Sequence, residues 1–129
     1  MNVKIDTKEK FAVITPTEAN ITANMTGELR DLLHHHLDKP VPHVILNMKN
    51  VQIISKETGG GIAASQQQFY EKNCSFVICE LTKAVENTLD EGGWLDVLNI
   101  TPTESEAWDI VQMEEIEREL MRDFDNDNQ

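Results

Sequence analysis

Aromatic residues and cysteines are scarce in this chain of 129 residues, and it contains no long apolar run. Aromatics make up 5% of the sequence against an apolar fraction of 40%, which predicts a globular core packed mainly from aliphatic side chains. The two cysteines, Cys74 and Cys79, are too few for a disulfide framework, so we expect reduced thiols and a cytoplasmic protein. No segment has the pattern of a signal peptide or the length of a membrane-spanning run.

Basic residues are also scarce. The chain has 11 Lys and Arg against 23 Asp and Glu, for a formal net charge of −12. Residues 103–129 hold ten of the acids and two arginines, and so carry −8 of that charge. Nucleic-acid binding needs a basic face, and an anionic membrane would repel this chain. We therefore expect neither of these partners, whereas a protein with a basic patch would fit.

Residues that build catalytic or metal sites do not occur in suitable patterns. His34, His35 and His36 are consecutive, and neighbouring residues on a helix point about 100° apart, so they cannot converge on one metal ion. The triple glycine at 59–61 lacks the Lys and Ser/Thr that follow in a nucleotide-binding phosphate loop. No serine or cysteine lies in a nucleophile elbow. We therefore expect no enzyme activity, no bound metal and no cofactor.

The spacing of apolar residues predicts a single α/β domain with a mixed sheet of about 4–5 strands and about four helices. Expected strands lie near 2–6, 11–15, 44–48, 51–54 and 75–79, the first two joined as a hairpin. Expected helices lie near 25–37, 60–72 and 83–91, with a last one beginning after 101. We place the domain at 1–124 and an acidic, disordered tail at 125–129.

The last helix is longer than a small core requires. Met113, Ile116, Leu120 and Phe124 extend its apolar stripe at spacings of three or four residues. These residues either complete the core or form a surface for a partner helix, including a second copy in a homodimer.

The segment 51–62 is the candidate functional site. It runs from a short apolar strand through Ser55 and Thr58 into Gly59, Gly60 and Gly61. A hydroxyl or a bound anion placed there would meet free backbone N–H groups at a helix start. The glycines would also let another molecule approach the backbone closely. The plainer interpretation is that the hydroxyls only cap the helix.

Two strings of the chain have the pattern of a known family. Residues 44–51 read Val-Ile-Leu-Asn-Met-Lys-Asn-Val and run on toward the glycine-bearing helix start, and residues 88–97 read Thr-Leu-Asp-Glu-Gly-Gly-Trp-Leu-Asp-Val. From Phe11 to Val111 the chain thereby resembles a STAS domain, the family of sulphate transporters and anti-sigma factor antagonists. The first string resembles the family's central strand, and the second resembles its leucine-rich helix, glycine break and short strand. The resemblance implies the STAS fold, here with an extended C-terminal helix.

In that family the junction reads Asp-Ser-Ser-Gly-Leu-Gly, and a partner kinase phosphorylates the second serine. Counted without gaps from the preceding strand, Lys56 and Glu57 take the serine positions, which puts a permanent carboxylate at the phosphosite. With one extra loop residue, Thr58 takes that position and Gly59 and Gly61 match the two glycines. We favour this second register because it keeps both glycines and a hydroxyl. The first register suits the spacing to the next strand.

The resemblance therefore implies a regulatory domain of the bacterial cytoplasm that acts as an anti-sigma factor antagonist. It would bind an anti-sigma factor or serine kinase, and phosphorylation of Thr58 would weaken that binding. The binding surface would be formed by residues of the junction: Ser55, Lys56, Glu57, Thr58, Gly59, Gly60 and Gly61. Two alternatives stay open. One is an unphosphorylated assembly subunit of a lipid-transport or signalling complex, and the other is a small-molecule or nucleotide sensor with the glycines as an anion cradle.

Overall fold

We describe the backbone of residues 1–127 and the side chains of residues 1–123 in a computed structural model of the chain. The strands are β1 Val3–Thr7, β2 Ala12–Pro16, β3 Asn20–Ile21, β4 Val44–Asn47, β5 Ile53–Ile54, β6 Phe76–Cys79 and β7 Ile100–Thr101. The helices are α1 Thr26–Leu37, α2 Lys56–Glu71, α3 Lys83–Glu91 and α4 Glu104–Asp127.

The main sheet has five strands in the order β1-β2-β4-β6-β7. β1 and β2 form an antiparallel hairpin in which Val3 pairs with Pro16 and Thr7 with Ala12. The other neighbouring strands in this sheet are parallel. These pairings confirm the predicted hairpin and the mixed sheet with four helices. β3 and β5 pair in parallel as a separate two-stranded sheet, which leads into the start of α2.

Helices cover both faces of the main sheet, so its central strands are buried on both sides. Residues of one face pack with α1, α2 and α3: Ile14, Val44, Leu46, Phe76 and Ile78. Residues of the other face pack with Ala107 and Val111 of α4: Phe11, Val13, Ile45, Val77 and Cys79. Because successive side chains of a strand point to opposite faces, two apolar faces require a continuous apolar run. The strand predicted near 44–48 is thereby placed in the centre of the sheet, buried on both faces.

The start of α2 and the segment that begins at Trp94 differ from the sequence predictions. α2 begins at Lys56 rather than Gly60, because Ser55 caps it by accepting a 3.1 Å hydrogen bond from the Thr58 N–H and the glycines adopt helical conformation. Residues 94–97, where the STAS resemblance implies a short strand, form a turn instead. The N–H groups of Val97 and Leu98 both donate to the Trp94 carbonyl at 3.1 Å, which closes that turn.

α4 continues to Asp127, past the start of the predicted tail at residue 125. Once a helix is nucleated, each further residue adds a backbone hydrogen bond at little cost. Residues 128 and 129 of the predicted tail, and the side chain of Phe124, lie outside the described residues. None of the helices that we describe combines the length and apolar composition needed to cross a bilayer.

His43, directly before β4, ties α4 to the sheet. The Ser75 N–H donates to His43 Nδ1 at 3.0 Å, so the neutral ring carries its proton on Nε2. That nitrogen lies 3.0 Å from Glu115 Oε2 on α4. Burial, followed by the charge of Arg118, lowers the pKa of His43, and these effects outweigh the opposing effect of Glu115. The imidazole therefore stays neutral in the folded domain over a wider pH range than in the unfolded chain.

We expect the domain to lose stability as the pH falls below 6.5, the ordinary pKa of histidine. Above that pH the ring is neutral in both states. Below it the unfolded chain takes up a proton that the folded chain resists, so acid favours unfolding until the lowered folded pKa is passed. Burial also lowers the pKa of His36, which acts in the same direction. The melting temperature measured between about pH 7.5 and 5.5 tests this, and His43→Gln should flatten its decline.

His35→Gln is the matched control for His43→Gln. It makes the same replacement at an exposed histidine, next to the buried His36 on α1. It should keep the decline of the wild type. Identical pH profiles for the wild type and His43→Gln would show that His43 does not couple folding to protonation.

Candidate functional site

Thr58 lies at the centre of a hydroxyl cluster at the start of α2. Its side chain is 0% exposed. Its Oγ1 lies 2.8 Å from Ser55 Oγ and 3.0 Å from Thr26 Oγ1. It also lies 3.3 Å from the carbonyl oxygens of both Ile21 and Thr22. This one hydroxyl therefore connects α2 to α1, to the end of β3 at Ile21 and to the following residue, Thr22.

The burial of Thr58 has a direct chemical consequence. Its hydroxyl has one proton, so it donates to one carbonyl and accepts from a neighbouring hydroxyl. A kinase must bring a threonine oxygen into contact with the transferred phosphoryl group, and this oxygen is covered by protein. Phosphorylation of Thr58 therefore requires the first turn of α2 to open.

The solvent-facing part of the junction is formed by different residues. Lys56 and Glu57 are both exposed. Glu57 lies in the first helical turn, where the helix dipole favours negative charge. Beside them on β5, the side chain of Ile53 is 56% exposed whereas Ile54 is buried. The junction thus presents an exposed apolar side chain on β5 and, at the start of α2, one positive and one permanent negative charge.

The three glycines are used for packing within the domain. A Cβ on Gly59 would lie 2.7 Å from Cζ3 of Trp94, and one on Gly60 would lie 3.2 Å from Cζ2 of the same indole. A Cβ on Gly61 would lie 2.7 Å from the methyl carbon of Thr26. The absent side chains let Trp94 and α1 approach α2. These contacts give the glycines a role in packing within the domain, and their predicted role toward a partner or an anion stays a prediction.

An open groove of about 1030 Å³ lies between α2 and the loop at 94–99. Along it, Asn99 Nδ2 donates to Tyr70 Oη at 2.7 Å, and Tyr70 Oη donates to Glu114 Oε1 at 2.8 Å. Burial and the bond to Glu114 raise the pKa of Tyr70 to about 12, so the phenol keeps its proton. Gln66 Nε2 donates to the Val97 carbonyl at 2.8 Å. These paired side chains join α2, the loop and α4.

The histidine run and the cysteines have structural surroundings. His36 is buried, with Nδ1 3.2 Å from the Leu32 carbonyl, while His35 points to solvent. Cys74 and Cys79 are free and buried, and burial raises the pKa of Cys79 to about 12. Among the residues that the structure describes, no group of His, Cys, Asp and Glu could hold a metal ion.

Comparison with protein-family models identifies the fold. The STAS domain model matches residues 2–107, which is most of the chain. The chain belongs to the STAS domain family. The match confirms the resemblance seen in the strings 44–51 and 88–97. It ends at Ala107, so most of α4 in this STAS domain lies beyond the matched part.

Solved structures share the fold of this STAS domain at low sequence identity. A putative anti-sigma factor antagonist from Thermotoga maritima is 16% identical, with a TM-score of 0.76 over 85% of this chain and 94% of that one. The anti-sigma factor antagonist SpoIIAA in its unphosphorylated form is 13% identical, with a TM-score of 0.69 over 86% and 96%. A chain of the stressosome, a signal integration and transduction hub, is 13% identical, with a TM-score of 0.64 over 84% and 96%.

Ile53 and Trp94 were not selected from the sequence. Ile53 looked like any strand residue, although its alternation with Ile54 is the signal of one exposed and one buried face. Trp94 was read as part of a short strand. The three consecutive small residues at 59–61 could have indicated a large side chain packed against them.

Proposed function

We propose that this STAS domain is a regulatory protein-interaction domain of the anti-sigma factor antagonist type. It binds an anti-sigma factor or serine kinase in the cytoplasm of a bacterium. The binding surface is the exposed part of the β5–α2 junction, formed by Ile53, Lys56 and Glu57. Family membership and the fold shared with known anti-sigma factor antagonists support this class. The exposed Ile53 beside Lys56 and Glu57 supports this surface, because interface centres combine apolar anchors with a polar rim.

Binding at this surface is constitutive and is not switched by phosphorylation of Thr58. The Thr58 hydroxyl is buried and engaged with Ser55 and Thr26, while Glu57 supplies a permanent carboxylate on the exposed first turn. The geometry thus favours the register that places Glu57 at the family's phosphosite. Constitutive binding also suits the alternative of an unphosphorylated assembly subunit.

Ile53→Asp should weaken partner binding at least tenfold, about 1.4 kcal/mol, because it places a charge at the apolar centre of the proposed binding surface. The melting temperature should barely change, since the side chain is already exposed. Calorimetric titration with the anti-sigma factor encoded nearest to this gene measures the effect. Ile5→Asp, at another exposed isoleucine on β1, is the control. An affinity for Ile53→Asp equal to that of Ile5→Asp would remove this surface from the proposal.

Incubation of the native domain with the corresponding kinase and ATP should leave Thr58 without phosphate, as read by mass spectrometry. A synthetic peptide spanning residues 50–66 shows whether the kinase accepts this sequence when it is not folded. If the kinase phosphorylates the peptide but not the folded domain, burial of Thr58 is the reason that the domain stays unphosphorylated. Stoichiometric phosphate on Thr58 of the native domain, absent in Thr58→Ala, would restore the phosphorylation switch.

A further inference from the structure

An exposed apolar stripe runs along the solvent face of α4. Met113, Ile116 and Leu120 are 55–63% exposed. Residues three and four apart lie on the same face of a helix, so these three form one continuous strip. The opposite face of α4 packs on the sheet through Ala107 and Val111, which are fully buried. The stripe is therefore additional to the residues that hold α4 in place.

The exposed charges around this stripe are acidic. They are Glu106, Asp109, Glu117, Glu119 and Asp123. The only basic residues between 104 and 123 are Arg118 and Arg122.

Both arginines bind toward the sheet side of α4. Arg118 Nη1 lies 3.2 Å from Glu115, and its Nη2 donates to Ser75 Oγ at 2.8 Å. Arg122 Nη2 lies 3.3 Å from Glu115, the residue that also contacts His43. The cations of the helix therefore offset acids on its inner side and leave those on its outer side uncompensated.

A cavity of about 350 Å³ borders the stripe where α4 passes the β1–β2 turn. Ile116 forms an apolar part of its lining, and Glu9, Lys10, Glu115 and Glu119 supply charged groups. Glu115 is already paired with the two arginines, so the acids of this lining left to meet a basic group are Glu9 and Glu119. The cavity can therefore receive a long side chain with an apolar stem and a basic end.

We propose that this face of α4 binds a basic amphipathic helix of another protein. The apolar side of such a helix would cover the stripe, and its lysines or arginines would meet the acids on either flank. A second copy of this chain fits less well, because two such faces would oppose acid with acid. This surface lies on a different element from Ile53 and Glu57, so it is a docking site additional to the junction.

The probe is a fluorescent peptide of roughly 18 residues, five helical turns, built from Leu and Lys with the leucines on one face. A peptide with Glu in place of Lys is its matched partner. The Leu/Lys peptide should bind the wild type with micromolar affinity that weakens as salt is raised, and the Leu/Glu peptide should not bind. I116E/L120E should weaken binding at least tenfold. V97E, at an exposed valine in the turn 95–97, should not.

Hydrogen exchange should show protection of residues 113–120 when the Leu/Lys peptide is bound. If I116E/L120E fails to fold, M113Q/L120Q removes the apolar stripe without adding charge and should show the same loss. Equal binding of the Leu/Lys peptide to the wild type and to the folded stripe variant would overturn the proposal. So would a wild-type dimer in sedimentation velocity that the stripe variant lacks, since the stripe would then be covered by a second copy.

Discussion

Thr58→Asp should lower the free energy of unfolding by about 3–5 kcal/mol, the usual cost of an uncompensated buried charge. The new carboxylate would lie among the carbonyl oxygens of Ile21 and Thr22, each 3.3 Å from the present hydroxyl. It has no proton to donate to them at neutral pH. Since small domains are stable by only about 5–15 kcal/mol, much of the margin would be lost. Urea unfolding followed by circular dichroism measures the change.

Ser55→Asp is the matched control, because it adds the same charge three residues earlier. Aspartate is a good N-cap residue and the helix dipole favours negative charge there, so this variant should stay within about 0.5 kcal/mol of the wild type. Thr58→Ser should also be mild, since it keeps the hydroxyl.

The pair Thr58→Asp and Ser55→Asp also tests whether a phosphate could be accommodated at Thr58. A phosphate brings nearly two negative charges, so whatever a carboxylate costs at Thr58, a phosphate costs at least as much. Equal stability of the two variants would mean that the first turn of α2 opens at little cost. The burial of Thr58 would then no longer argue against phosphorylation.

Gly59→Val should destabilise the domain by about 3 kcal/mol, because overpacking a rigid contact forces neighbours apart. The new Cβ would lie 2.7 Å from Cζ3 and 2.8 Å from Cε3 of Trp94, and 3.4 Å from Cδ2 of Leu89. Neither the indole nor the backbone of α2 can yield without breaking other contacts. For a domain of this size the melting temperature should fall by roughly 10 °C.

Gly27→Ala is the control for replacing a helical glycine. A Cβ on Gly27 meets nothing within 4 Å, so alanine should stabilise α1 by up to about 1 kcal/mol. The pair Gly59→Val and Trp94→Ala forms a double-mutant cycle, because removal of the indole relieves the overlap. The loss in the double variant should be smaller than the sum of the two single losses. Strict additivity would place the strain elsewhere.

The sheet core and its helices could be predicted because their signals are local. In the run 44–48, Val44, Leu46 and Met48 are the apolar residues of one face and Ile45 is that of the other. α3 was expected at 83–91, where the structure has it. Such patterns depend on residues adjacent in the chain, and burial of the resulting faces decides the fold class. The STAS resemblance rested on the same strings and was confirmed by the family match.

The strand-to-helix junction stays a predicted site, and the structure adds how its residues are placed. The sequence predicts Thr58 as a phosphate acceptor, and the structure shows its hydroxyl in contact with the carbonyls of Ile21 and Thr22, 37 and 36 residues earlier in the chain. The sequence predicts a partner at the glycines, and the structure adds that Trp94, from a turn later in the chain, packs beside Gly59 and Gly60. No local pattern distinguishes a buried threonine from an exposed one when both precede the same glycines.

Sequence alone therefore determined the hairpin, the two central strands, the four helices, the family and the acidic charge, and it selected the junction, but it did not predict β7 at Ile100–Thr101. Only the tertiary structure decided that Ile53 and Glu57 face solvent while Thr58 does not, and that the arginines of α4 pair with Glu115 rather than with the acids of its outer face. The physical reason is the range of the interactions. Helix and strand formation follow from neighbours along the chain, whereas the accessibility of a hydroxyl or a charge depends on residues that only folding brings together.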